Sequence, residues 1–144
     1  MTSTVDANVL LLGANQTSPL HGRAKAFIED HLGGRELVYL FWPVAMAYLR
    51  ISTHPGIFPR PQPVAEAMAN IEDLLARPNV RTAGEGDRFW AELRAVTQDA
   101  RPTGNLVSDA HLVTLMRENG VRTIWTHDRD FRRFSGIVVR DPFA

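Results

Sequence analysis

The stretch from Asn105 to Phe134 constrains the fold more than any other part of this chain. Between Ser108 and Asn119 the apolar residues recur at helical spacing, and Gly120 then indicates the end of a helix. The following run, Val121 to Thr126, is short, β-branched and aromatic, which is typical of a buried strand. A helix followed so closely by a buried strand predicts an α/β fold.

The rest of the chain repeats this alternation, which predicts one α/β domain over residues 1–144 with a mostly parallel sheet. The proline-rich segment Thr53 to Pro63 is expected to be a stiff connection. Further strands are predicted at Ser3–Val5, Leu37–Trp42, Asn79–Ala83 and Ile137–Val139, and helices at Ala7–Ala14, from a cap at Ser18 to Gly33, at Pro43–Ser52, at Val64–Leu75 and after a cap at Asp87.

Four carboxylates occupy unusual places in this pattern. Asp6 follows the first predicted strand, and Asp128 and Asp130 follow the strand ending at Thr126. Asp109 shares the helix face that should point at the core. Because ligands of parallel α/β sheets bind at the carboxyl ends of the strands, these acids predict a site there. Acids without His or Cys partners favour Mg²⁺ or Mn²⁺ over Zn²⁺.

Structural roles remain open for each acid by itself. Asp6 can cap the helix that follows it, Asp109 can be an ordinary acid of a helix N-terminus, and Asp130 can be a surface charge. Other chemistries are excluded more firmly, since the chain has no cysteine, no G-x-S-x-G motif and no phosphate-binding P-loop. The formal net charge is zero, so any contact with nucleic acid must be local.

The motifs VDANVLL, LFWPVAMAYLRISTHPGIFPRPQP, DAHLVTLMRENG, THDRDF and GIVVRDPF occur in this order along nearly the whole chain. Together they resemble the PIN-domain ribonucleases, specifically the VapC toxins of type II toxin-antitoxin modules. The resemblance implies a three-layer α/β/α fold with four to five short strands. It also implies a Mg²⁺- or Mn²⁺-dependent endoribonuclease that cuts RNA, either tRNA or ribosomal RNA, and thereby inhibits translation and growth.

The resemblance assigns roles to particular residues. Asp6, Asp109 and Asp128 are expected to be catalytic and to bind the metal directly or through water, with Asp130 as a further ligand or outer neighbour. Weaker candidates for positioning the substrate are Asn105, Arg129 and Arg132.

One feature departs from the family pattern. The helix after the second strand commonly carries a further acid, whereas Pro43 to Thr53 contains none and Ala47 stands near its place. This departure favours an alternative hypothesis, a catalytically weakened RNA-binding or interaction module. Arg50 in the same helix is expected in a structural ion pair, with a phosphate contact as the alternative.

The resemblance also implies partners. A VapB-like antitoxin is expected to lay a C-terminal segment across the chain and insert an arginine among the carboxylates. Trp42, Tyr48 and Phe58 are candidates for contact with its apolar residues, although a place in the core is the more usual role for each. A homodimer is expected, with contact surfaces on the helices around Pro43–Ile51 and Val64–Leu75. The N-terminal residues lack the features of a signal peptide or a membrane span, so a cytoplasmic location is expected.

Overall fold

The computed structural model describes all 144 residues and contains a five-stranded sheet in which every pair of neighbouring strands is parallel. The α/β prediction is therefore confirmed. The strands are β1 (Ser3–Val5), β2 (Val38–Phe41), β3 (Val80–Ala83), β4 (Thr123–Trp125) and β5 (Val138–Arg140). The helices are α1 (Ala7–Ala14), α2 (His21–His31), α3 (Trp42–Ser52), α4 (Val64–Leu75), α5 (Phe89–Ala100) and α6 (Leu106–Glu118).

The order of the strands determines where a site can form. The sheet runs β3-β2-β1-β4-β5, so β1 is central and the chain proceeds from it first to one side and later to the other. Such a change of direction opens a crevice at the carboxyl ends of the two strands that flank it. Val5 at the end of β1 pairs in register with Trp125 at the end of β4. The residues that follow these strands, from Asp6 and from Thr126 onward, therefore enter the same crevice.

The core explains why the strands are so apolar. Parallel strands covered on both faces must bury nearly every side chain, and Val5, Val38, Leu40 and Ile124 are fully buried. Helices α1 to α4 form one packed group, and α5 packs on α6. Gly120 ends α6 with a φ of +67°, a conformation that costs glycine far less than other residues. The predicted stop at this glycine is thus confirmed.

Some predicted boundaries and caps differ from the structure. Helix α2 begins at His21 rather than near Ser18, because the Ser18 hydroxyl accepts a hydrogen bond from the backbone N–H of Leu20 in a preceding turn. Arg88, not Asp87, precedes α5, and no side chain caps that helix. A short 3₁₀ helix at Arg129–Arg133 was not predicted, because its five residues are too few for a helical period to be visible.

The structure decides between core and surface for the three aromatic contact candidates. Tyr48 is only 3% exposed and its hydroxyl donates to Gln62 Oε1 at 3.1 Å, while Phe58 is 6% exposed. Both therefore belong to the interior, whereas Trp42 is 45% exposed and remains available for contact. No helix has the length and apolar character required to cross a membrane.

Candidate metal centre

Asp6 is held rigidly where β1 passes into α1. Its extended backbone places it at the N-cap of α1, and its Oδ1 accepts a hydrogen bond from the backbone N–H of Ala7 at 2.8 Å. Its Oδ2 accepts one from the hydroxyl of Thr126 at 3.0 Å. The capping role considered from the sequence is therefore confirmed, and it also fixes the direction in which the carboxylate points.

Thr126 connects the ends of the two strands. It is only 1% exposed, and its hydroxyl, while donating to Asp6, accepts from the backbone N–H of Asp128 at 3.0 Å and from the Asn8 amide at 3.4 Å. Asp128 in turn accepts from the backbone N–H of Asp130 at 2.9 Å and caps the 3₁₀ helix. One buried hydroxyl thus positions acids that are 122 residues apart in the chain. Sequence reasoning missed Thr126 because it resembles any other β-branched strand residue.

Helix α6 brings the next acid to this group. Asp109 lies in its first turn, and the carboxylate oxygens of Asp109, Asp128 and Asp130 lie within 4.8 Å of one another. Asp6 is not part of this closest set, although it lines one cavity together with Asp109. The structure therefore brings together the four acids that the sequence singled out. Asp109, Asp128 and Asp130 form a triad, and Asp6 lies beside it.

Burial and mutual repulsion perturb two of these acids. Loss of solvation, joined by the negative charges of Asp6, Asp128 and Asp130, raises the pKa of Asp109 to about 7. The pKa of Asp6 is raised to about 6, chiefly by loss of solvation and to a smaller extent by the charge of Asp128, while hydrogen bonds from Thr126 and Ala7 oppose the rise. Carboxylates that resist ionisation in this way gain most from a nearby cation.

The residues fit a hard divalent cation. The converging donors are all carboxylate oxygens, which Mg²⁺ and Mn²⁺ prefer, and no cysteine exists in the chain. Asp128 and Asp6 are already oriented by hydrogen bonds, so binding requires little further ordering of these two side chains.

A cavity opens beside the acids, between α3 and α6. Its volume is about 370 Å³, and Arg50, Ser108 and His111 line it together with Asp6 and Asp109. The His111 Nε2 lies 2.6 Å from Glu85 Oε1. The expected ion pair of Arg50 is absent: its guanidinium contacts no carboxylate and makes no hydrogen bond within the chain.

The three weaker candidates lie outside this cavity. Asn105 is exposed and occupies the N-cap position of α6, where its side chain makes no capping hydrogen bond. Arg129 and Arg132 are exposed on the 3₁₀ helix, and the positive charge of Arg129 contributes to a lowered pKa of Asp141. His127 also bonds Asp141, with 2.9 Å between Nδ1 and Oδ2.

Relatives of the chain identify its family, although no protein-family model matches it. The chain is 50% identical to Ribonuclease VapC48 of Mycobacterium tuberculosis over 144 residues, which cover 100% of the chain and 99% of the relative. It is 35% identical to Ribonuclease VapC37 of the same species, with 97% of the chain and 96% of the relative covered. The chain belongs to the VapC ribonuclease family. VapC proteins are the toxins of VapBC toxin-antitoxin modules, so the predicted family and enzyme class are confirmed.

Solved structures agree in fold with this VapC protein. VapBC2 from Rickettsia felis, bound to a promoter DNA fragment, superposes with a TM-score of 0.71 at 10% identity, covering 98% of each chain. VapC20 of M. tuberculosis, a toxin that cleaves the sarcin-ricin loop, gives 0.69 at 18% identity, covering 94% of this chain and 96% of that one. VapC ribonucleases depend on a metal ion, and the carboxylate triad is the group in this family member suited to hold one.

We expect Asp109→Asn to stabilise the metal-free protein in a pH-dependent way. Because the folded pKa of Asp109 is raised to about 7, the wild type loses stability as pH rises from the unfolded value near 4 to about 7. The variant lacks this loss. The free energy of unfolding of the variant should equal that of the wild type at pH 4 and exceed it by about 1 to 2 kcal/mol at pH 8. This amount is reduced by solvent screening, because the side chain is partly exposed.

Thermal unfolding in EDTA across this pH range measures the effect, which corresponds to a rise in Tm of roughly 3 to 6 °C at pH 8. Saturating Mn²⁺ should reverse the order, since an ion bound only by the folded wild type stabilises it. Equal unfolding temperatures for both proteins at every pH would contradict the electrostatic account.

We expect Thr126→Val to disorder the acids without removing one. The change leaves Asp6 Oδ2 and the backbone N–H of Asp128 without their partner, at a cost of roughly 1 to 3 kcal/mol in the free energy of unfolding. Metal affinity should fall by about 10- to 100-fold, as for other residues that orient ligands. Calorimetric Mn²⁺ titration measures this, with Thr126→Ser, which keeps the hydroxyl, as the matched control.

Proposed function

We propose that this VapC protein is a Mg²⁺- or Mn²⁺-dependent endoribonuclease acting as a single domain over residues 1–144. It hydrolyses phosphodiester bonds of tRNA or ribosomal RNA in the cytoplasm and so inhibits translation. The observation that carries the proposal is the convergence of three carboxylates within 4.8 Å beside a cavity that opens to solvent. Names of relatives support the substrate class, since VapC48 and VapC37 are ribonucleases and VapC20 cleaves a ribosomal RNA loop.

Each acid has a distinct part in this site. Asp109 and Asp128 are direct ligands, and Asp130 is a ligand or an outer neighbour. Hydrogen bonds from Thr126 and Ala7 orient Asp6, which adds its negative charge to the site and binds the metal ion directly or through water. An ion held by these acids would lower the pKa of a water molecule bound to it and would neutralise phosphate charge. The family's further acid is missing from α3, so these four aspartates provide all the carboxylates of the site.

A metal titration tests this function. The wild type, stripped with EDTA, should cleave tRNA or ribosomal RNA only after Mg²⁺ or Mn²⁺ is restored, and comparison of the two ions decides which is preferred. The alternative of a weakened RNA-binding module predicts a different result, in which RNA binds despite EDTA but is not cleaved at any Mn²⁺ concentration. The absence of cleavage across several RNAs would favour that alternative.

Binding of an antitoxin is proposed on the same electrostatic grounds. The proposed partner is a VapB-like protein, and neighbours in fold such as VapBC2 and FitAB are complexes. A cluster that raises the pKa of its own acids also attracts an arginine, whose guanidinium can bridge two carboxylates. The partner's arginine would then displace the ion and block substrate phosphate, while apolar side chains rest on Trp42.

A homodimer is also proposed. Of the two helices suggested for it, α4 exposes Val64 and Met68 away from the cavity, whereas the exposed apolar residues of α3 lie beside the cavity. We expect light scattering to report twice the chain mass of 16.1 kDa and Met68→Glu to shift it toward the monomer. A wild-type monomer at high micromolar concentration would contradict this.

A further inference from the structure

One side of α3 forms a wall of the cavity beside the acids. Pro43, Met46, Ala47 and Arg50 line the cavity, and their spacing of three, four and seven residues is that of one helical stripe. We call Trp42 together with these four residues the α3 wall. No residue of the wall is acidic, so it differs in charge from the opposite side of the cavity, where Asp109 stands.

Arg50 is the only arginine or lysine that lines this cavity. Its side chain is exposed and has no partner within the chain, although Asp6 and Asp109 line the same space. Long cationic side chains on surfaces often point into solvent, but this one lines the cavity that also contains two of the acids. Its planar guanidinium suits a bidentate phosphate contact.

Trp42 supplies a flat apolar surface at the other end of the wall. Its indole is 45% exposed, and Met46, one helical turn further on, is 61% exposed. A Cβ atom placed on Gly84 would lie 3.2 Å from the indole Cδ1, so the ring is seated against a backbone that no side chain obstructs. Gly84 is followed by Glu85, which bonds the cavity residue His111. Trp42 itself does not line the cavity, but it directly precedes Pro43, which does.

We propose that the α3 wall binds single-stranded RNA, with Trp42 stacked on a nucleobase and Arg50 contacting a backbone phosphate. This inference rests on the proposed ribonuclease function and names the surface that holds its substrate. Arg50 lies eight positions after Trp42, which corresponds to about 12 Å along a helix, a distance that a short single strand can cover. Stacking does not depend on base identity, so the wall would hold the strand without selecting a sequence.

The missing acid of α3 acquires a role in this arrangement. A carboxylate at Ala47 would line the same cavity as Asp6 and Asp109 and would repel an approaching phosphate unless a further ion neutralised it. The neutral Ala47 and the positive Arg50 remove that requirement. The departure from the family pattern thus changes the wall from a possible ion ligand into a cationic surface complementary to RNA.

Fluorescence anisotropy of a short labelled oligouridylate, with the full chain in EDTA to prevent cleavage, tests the wall. Trp42→Leu should weaken binding about 5- to 100-fold with an unchanged salt dependence, and Trp42→Phe should restore most of the affinity. Arg50→Gln should weaken binding about tenfold and reduce the slope of log affinity against log salt by about 0.7, the value for one phosphate contact.

Two matched variants serve as controls. Arg35→Gln removes an exposed arginine at the amino end of β2, whereas the acids lie at the carboxyl ends of the strands. Trp90→Leu removes an exposed tryptophan that does not line the cavity. Both should bind like the wild type. Wild-type affinity in Trp42→Leu and Arg50→Gln would overturn the inference, and so would losses as large in the controls.

The result is separable from the test of the proposed function. If the wild type cleaves RNA with Mn²⁺ while both wall variants bind oligouridylate normally, only the inference fails. If the wild type neither binds nor cleaves any RNA, the proposed function fails with it. If the wall variants lose self-association in light scattering but keep RNA binding, the wall is an interface between copies of the chain and the inference is overturned.

Discussion

Asp109→Asn is expected to reduce Mn²⁺-dependent RNA cleavage by at least about 100-fold. Asp109 is the acid whose pKa rises most, to about 7, and three other aspartates contribute to that rise. The clustered negative charges that destabilise the metal-free protein also attract a cation. Asparagine keeps the shape of the side chain but removes its charge, so the remaining acids hold the ion less tightly. Initial rates measured over a Mn²⁺ titration separate weakened metal binding from a lower maximal rate.

Asp30→Asn is the matched control for this experiment. It makes the same chemical change at an exposed position of α2 that belongs neither to the triad nor to the cavity lining, and it should cleave like the wild type. Because Asp109→Asn is also expected to stabilise the metal-free fold, a loss of cleavage could not be attributed to unfolding. Equal cleavage by wild type and Asp109→Asn over the whole titration would rule out the proposed site.

The double variant Asp6→Asn/Asp128→Asn is expected to weaken binding of the antitoxin together with cleavage. If the partner inserts an arginine among the acids, removing two charges leaves that guanidinium buried without full compensation, at a cost of roughly 2 to 5 kcal/mol in binding free energy. Asparagine is as good an N-cap as aspartate, so α1 and the 3₁₀ helix should keep their caps. Calorimetric titration with the purified antitoxin measures the change.

Comparison with Asp30→Asn/Asp87→Asn, two exposed acids outside the cavity, controls for the altered net charge. The control pair should slow association slightly through long-range attraction and leave dissociation unchanged. An antitoxin that binds the Asp6 and Asp128 double variant as tightly as the wild type would indicate inhibition by wrapping alone, without an inserted arginine.

The architecture could be predicted from the sequence because it depends on local patterns. Short β-branched runs alternate with helical periods, and this pattern alone identified all five strands and six helices, with errors mainly at the ends. The positions of Asp6 and Asp128 followed from the same reasoning, since residues that follow parallel strands meet at one edge of the sheet. Asp109 was recognisable because a carboxylate on an apolar helix face requires compensation.

Other parts of the site were decided by tertiary packing. Thr126 positions the acids through hydrogen bonds to residues at both ends of the chain, which no local pattern reveals. Arg50 could be assigned to the cavity rather than to an ion pair only once α3 and α6 were placed side by side. Likewise, Trp42 and Tyr48 are both aromatic residues of α3, and only the packing of its neighbours exposes one and buries the other. The sequence determined which chemical groups lie at the sheet edge, and the tertiary structure determined which of them face one another, because hydrogen bonds and solvation depend on distances in space.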